Sequence, residues 1–131
     1  MEEALLAYLL SQTSITDLVS TRLFWVQVPQ GTALSYIRLQ VISAAIERQY
    51  VDASNLGSKR IQIDCFADTY TKAKAIERAV IALLNNERFE QSSTRIEAFL
   101  DNSRDLTDEN AAKTPIIYRQ SLDFMVTYSP I

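Results

Sequence analysis

Tyr118-Arg119-Gln120-Ser121-Leu122-Asp123-Phe124-Met125-Val126-Thr127-Tyr128 is the stretch that decides the fold. It closes a longer alternating run, Ile116–Tyr128, in which Tyr118, Leu122, Phe124, Val126 and Tyr128 share one face. Arg119, Ser121, Asp123 and Thr127 fall on the other face. Alternation of period two is the mark of a strand with one side buried. A strand of about 13 residues is more than twice the usual length of five or six. Such a strand is expected either at the centre of a sheet or in assembly by edge pairing.

Two more segments repeat the pattern. Lys59–Ala67 places Ile61, Ile63 and Cys65 on one side and Gln62 and Asp64 on the other. From Tyr36, the residues Ile37, Leu39 and Val41 alternate with the outward Arg38 and Gln40. Ser43–Tyr50 fits a continued strand or a helical turn. It is read as a long strand running into a hairpin arm, spanning about 42–62, whose tip is the polar loop Asp52–Ser58. Thr94–Leu100, with Ile96, Ala98 and Leu100 inward, is a further strand that can extend to Leu106, and Asp108–Thr114 is a polar loop. Leu23–Val28 favours β structure and stops at the turn signal Pro29-Gln30-Gly31.

Helical spacing marks three segments. Residues 2–12 carry Leu5, Leu6, Leu9 and Leu10 on one face, with Glu2 and Glu3 in the first turn, where the helix dipole favours acids. Ser14 to Asp17 open a short helical turn through Val19. Thr69 or Thr71 caps the clearest helix, which runs to about Asn86. Ala73, Ile76, Val80, Leu83 and Leu84 form its stripe, Lys72, Lys74, Glu77 and Arg78 lie off it, and Asn85-Asn86 is a stop. The fold class is α+β. An antiparallel-dominated sheet carries the amphipathic helix (about 70–86) and the N-terminal helix on one face, with an extended hairpin arm.

Composition narrows the function. The 131 residues are 47% hydrophobic and 22% charged, enough for one domain (1–131) with a real core. No apolar run reaches the roughly 20 residues that span a bilayer. Met1-Glu2-Glu3 is acidic where a secretory signal is basic, so a soluble protein that folds where it is made is expected, with no membrane partner. The net charge of −3 argues against broad binding to phosphate backbones. Histidine is absent, which removes the commonest general base and transition-metal ligand together.

The candidate chemical groups point the same way. Cys65, the one cysteine, lies on an apolar strand face with no histidine to activate it, and reads as a small buried hydrophobe. Asp101, Asp105, Asp108 and Glu109 could hold a hard cation. Their spacing lacks the glycine and closing glutamate of a calcium loop, and Arg104 among them suggests ion pairing. The assigned inward strand faces hold no carboxylate to serve as a buried acid. The two glycines, Gly31 and Gly57, lie too far apart for a phosphate loop. Arg38 and Arg119 stand singly, as in ion pairs across a sheet. No catalysis, no cofactor and no metal are expected.

Four segments in order resemble one family: Met1–Leu10; Pro29-Gln30-Gly31 with Leu34-Ser35-Tyr36; Arg60–Ala67 with Thr69-Tyr70 and Ala73-Lys74-Ala75; and Tyr118–Tyr128. Together they are similar to the small tail-completion, or tail-terminator, proteins of long-tailed phages, prophages and gene-transfer particles. The resemblance implies a structural virion protein of the tail and neck, assembled in the host bacterial cytoplasm. It would cap the head-proximal end of the tail tube and mediate head–tail joining. It also implies a homo-oligomeric ring, hexameric in the wider group, that meets the tail-tube protein on one side and a head-completion or connector protein on the other. DNA would pass through the lumen without specific binding, since six copies at −3 make an acidic ring. Candidate interface residues are Tyr50, Val51 and Leu56 on the arm and Arg119 and Asp123 on the last strand. Other readings are a different neck or tail-tube component, a small metal-dependent hydrolase working through Asp101, Asp105 and Asp108, and a small-molecule-binding module.

Overall fold

A computed structural model describes residues 1–45, 57–107 and 116–130. The chain runs α1 (Glu2–Leu10), α2 (Thr13–Val19), β1 (Leu23–Trp25), β2 (Tyr36–Ala45), β3 (Gly57–Ala67), α3 (Tyr70–Leu84), β4 (Glu87–Gln91), β5 (Thr94–Asp105) and β6 (Tyr118–Pro130). The six strands form one sheet in the order β1-β2-β3-β6-β5-β4. Among the described strands only β1 and β2 pair in parallel, and the other ladders are antiparallel. The α+β class with a dominating sheet is thus the observed architecture. No described helix is long and apolar enough to cross a membrane.

The deciding strand lies at the centre. β6 pairs with β3 on one side and β5 on the other, and its ladder with β3 runs unbroken from Gly57↔Tyr128 to Ala67↔Tyr118. Its even-numbered positions face the core. Leu122 and Phe124 are fully buried there with Ile61, Ile63 and Cys65 of β3, Ile37 and Leu39 of β2, and Ile96 of β5. The helices close this side: α3 brings Ala73, Ile76, Val80 and Leu84, α1 brings Leu5 and Leu9, and α2 brings Ile15 and Val19.

Local chemistry sets the helix ends. Thr69 is the cap of α3, its hydroxyl accepting a hydrogen bond from the Lys72 N–H at 3.2 Å. Asn86 takes φ 60° just past the helix, a conformation asparagine tolerates. The Asn85 side-chain oxygen accepts from the Leu100 N–H at 2.9 Å, which ties the helix exit to β5.

Several boundaries differ from the sequence expectation. The first helix ends at Leu10, because Gln12 turns extended to start α2. β1 keeps only Leu23–Trp25 of the expected 23–28, and Val26, at φ 66°, turns the chain away. Glu77, placed off the apolar stripe, is buried, with its carboxylate near the Lys74 ammonium (3.3 Å). β3 begins at Gly57 rather than Lys59. β4 was not expected at all. The arm tip, with Tyr50, Val51 and Leu56, and the loop with Asp108 and Glu109 lie outside the described residues.

The sheet bends along one row. β2 carries an extra residue between Val41 and Ser43, and β5 carries one between Leu100 and Asn102. Val41 pairs with Ile61, Ile61 with Phe124 and Phe124 with Leu100, so both bulges fall on the same cross-strand line. A bulge bends its strand and increases the local twist. Here two act together on either side of the straight central pair.

Candidate assembly surface: the open sheet face

The helices leave the other side of the sheet uncovered by any described element. The period-two alternation sends Tyr36, Arg38 and Gln40 of β2, Arg60, Gln62, Asp64 and Phe66 of β3, and Arg119, Ser121, Asp123 and Met125 of β6 to this side. Asn102, Arg104 and Phe99 of β5 join them. Six of the eight described arginines lie here (Arg38, Arg60, Arg88, Arg95, Arg104 and Arg119). No described lysine does: Lys72 and Lys74 are on α3, and Lys59 points to the helix side, where it pairs with Glu2.

Asp64 is the hinge of this face. Its side chain is 0% exposed, although it sits on the side expected to be outward. Arg38 donates to its Oδ2 at 2.8 Å from β2 and Arg119 at 3.1 Å from β6. The Gln62 amide reaches both carboxylate oxygens at 3.0 Å. Both guanidinium groups lie 5.6 Å from the centre of the Phe66 ring, a cation–π distance. Burial pushes the Asp64 pKa up, but the hydrogen bonds from Arg38, Gln62 and Arg119 outweigh it and hold the carboxyl below its ordinary value. The expected ion pairs across the sheet are present, but the two arginines do not stand singly. They make cross-strand ion pairs, and both make them with one buried carboxylate.

A second cluster lies beside the first. Arg104 donates to both oxygens of Asp123, at 3.2 and 3.3 Å, and Arg60 reaches Asp101 at 2.5 Å. Arg60 also stands 4.0 Å from Asp123, so the two pairs join. Arg104 does form an ion pair, but its partner is on β6 and not among its acidic sequence neighbours. Farther out, Arg88 pairs with Glu97 at 2.7 Å and Arg95 with Glu90 at 3.4 Å.

Among the described residues the candidate chemical groups do not gather. Asp101 and Asp105 lie at opposite ends of the free half of β5, and Asp105 accepts from the Thr107 N–H at 3.0 Å. That backbone bond is the first cause of its lowered pKa. Among the described residues no group of three or more potential metal ligands comes together. Cys65 is fully enclosed; burial, then the charges of Glu77 and Asp64, push its thiol pKa up, away from the reactive thiolate. Arg119 and Asp123 are both on the open face, one in each cluster.

The family model described as "Tail completion protein gp17" matches residues 3–129. The chain belongs to this family and is a phage tail structural protein, a virion component. A chain in the solved structure "Virion of native gene transfer agent (GTA) particle" shares the fold with a TM-score of 0.73 at 20% identity, covering 98% of this chain and 94% of that one. A second solved structure is similar at a TM-score of 0.55 and 16% identity, with 96% of each chain covered. Among curated protein sequences none matches.

Proposed function

We propose that this tail protein closes the head-proximal end of the tail tube as a ring of copies, hexameric as the resemblance implies, and offers the surface on which a DNA-filled head docks. The open sheet face is the observation that carries the reading. Interfaces are enriched in arginine, methionine and aromatic residues and depleted in lysine. This face has six arginines, Met125, Tyr36, Phe66 and Phe99, and no described lysine. Four of these arginines, Arg38, Arg60, Arg104 and Arg119, are already held by Asp64, Asp101 and Asp123, so docking immobilises little of their side-chain freedom. Arg119 and Asp123 take part in the interface through these clusters, and the arm residues Tyr50, Val51 and Leu56 extend it to a neighbour.

In this reading the tail-tube protein and a head-completion protein are the partners on the two sides, and assembly takes place in the host cytoplasm. The acidic balance of each copy lets DNA slide through the ring without sticking. The protein needs neither metal nor catalysis, since contact alone performs the task.

Particles produced in a host lacking this chain test the reading by electron microscopy. The expected result is filled heads and finished tails lying unjoined, with joining restored when the chain is supplied. Intact, joined particles in its absence would overturn it.

A further inference from the structure

The sheet is incomplete at two opposite corners. β1 covers β2 only along Ile37–Leu39, where the Val26 N–H closes the ladder on the Leu39 carbonyl at 2.7 Å. β2 then runs on to Ala45 with β3 on one side and no described strand on the other. At the far edge, β4 covers β5 only along Thr94–Ala98, and the Leu100 N–H is taken by Asn85. β5 then runs on to Asp105 with β6 on one side and no described strand on the other.

Each overhang holds a bulge: Gln40–Ala45 on β2, with the extra residue between Val41 and Ser43, and Asp101–Asp105 on β5, with the extra residue between Leu100 and Asn102. Each is laddered on its inner side only, and of the β2 overhang Val41 packs partly against the core. Ile42 is 46% exposed, and every residue from Asp101 to Asp105 is exposed. A free strand edge presents unpaired N–H and C=O groups, and proteins blunt such edges with charge, proline or early termination. On β5 the charges of Asp101 and Arg104 are paired with Arg60 and Asp123 on the open face. Val41-Ile42-Ser43-Ala44-Ala45 on β2 has no charge and no proline to keep a further strand away.

We infer that the β2 overhang of one copy pairs, strand to strand, with the β5 overhang of the next, which continues the sheet from subunit to subunit. Two different patches meet, so the contact is head-to-tail and closes into a ring when the rotation between copies allows it. Backbone hydrogen bonds supply the affinity, as in other strand additions. This inference rests on the ring reading above and names the surfaces that build the ring.

The test uses the full-length chain, with mass measured in solution. Proline is placed on β2 at Ser43 or Ala44, and on β5 at Asn102 or Ser103. In each adjacent pair one N–H points to the open side, where proline removes only the edge donor. Variants that keep the circular dichroism and cooperative melting of the wild type are carried forward. Each is expected to lose the ring and remain a monomer. A mixture of one β2 variant and one β5 variant is expected to stop at a 1:1 dimer, because only one intact pair of edges remains. Amide hydrogen exchange on the wild type reads the same contact without substitution. The overhang amides are expected to exchange at least tenfold slower in the ring than in the diluted monomer. Folded variants that still form the wild-type ring, or overhang amides that exchange equally in both states, overturn the strand pairing while leaving the ring in place. A wild type that never leaves the monomeric state overturns both.

Discussion

At the scale of single residues, Asp64 shows how far an alternating pattern can be read. The sequence places it on the side of β3 away from the core, and that placement holds. Its burial was not legible, because the cover comes from Arg38, Phe66 and Arg119, two of which belong to strands distant in the chain. Removing this carboxylate leaves two guanidinium groups facing each other without a counter-charge. Asp64→Asn is expected to cost about 3 kcal/mol, the low end for breaking a buried ion pair, since both arginines keep some access to water. Asp101→Asn, in a half-exposed pair, is expected to cost less than about 1 kcal/mol. Urea unfolding of the two variants checks the contrast, and equal costs would show that the Asp64 cluster is ordinary surface. The same site fixes a pH dependence. The folded Asp64 pKa lies below its ordinary 3.8, so its contribution is complete above that value and is lost as the pH falls through the folded value. Asp64→Asn should therefore flatten the loss of stability below about pH 4 while leaving the slope near neutrality unchanged.

At the scale of elements, legibility followed the amount of apolar periodicity. β6, β3 and α3 were readable because each repeats its buried positions over three or more turns or pleats. β4 was not: Glu-Arg-Phe-Glu-Gln offers one apolar side chain, Phe89, which stacks on Tyr8 of α1 with ring centres 3.7 Å apart. Its hairpin turn gave no signal either. Ser92 and Ser93 both take positive φ, 51° and 60°, where glycine or asparagine would have announced the turn. β1 was overextended because Val26 and Val28 carry strand propensity while the chain turns away at Val26. The register of β6 can be tested directly. Leu122→Ala and Phe124→Ala, both fully buried, are each expected to destabilise by roughly 2–5 kcal/mol through cavity formation. Thr127→Ala, exposed on the opposite face, should fall within about 0.5 kcal/mol of the wild type. Equal losses at positions 124 and 127 would put the strand one residue out of register.

At the scale of the whole molecule, the physical pattern led to an α+β contact domain without chemistry, and the ordered resemblance of four segments led to the tail-completion family. The open face lay between these two levels. Its residues were individually visible as outward arginines and acids. Their gathering into two joined clusters depended on strand order, β2 beside β3 and β3 beside β6, which alternation alone does not specify. The central claim is that copies of this chain form one closed ring at the end of a tube. Native mass measurement of the purified protein, alone and with its tail-tube protein, tests it most directly. The account predicts a single species of fixed copy number that does not grow with concentration and that caps tube ends once. A protein that stays monomeric under both conditions, or one that extends into an open-ended polymer, would contradict it.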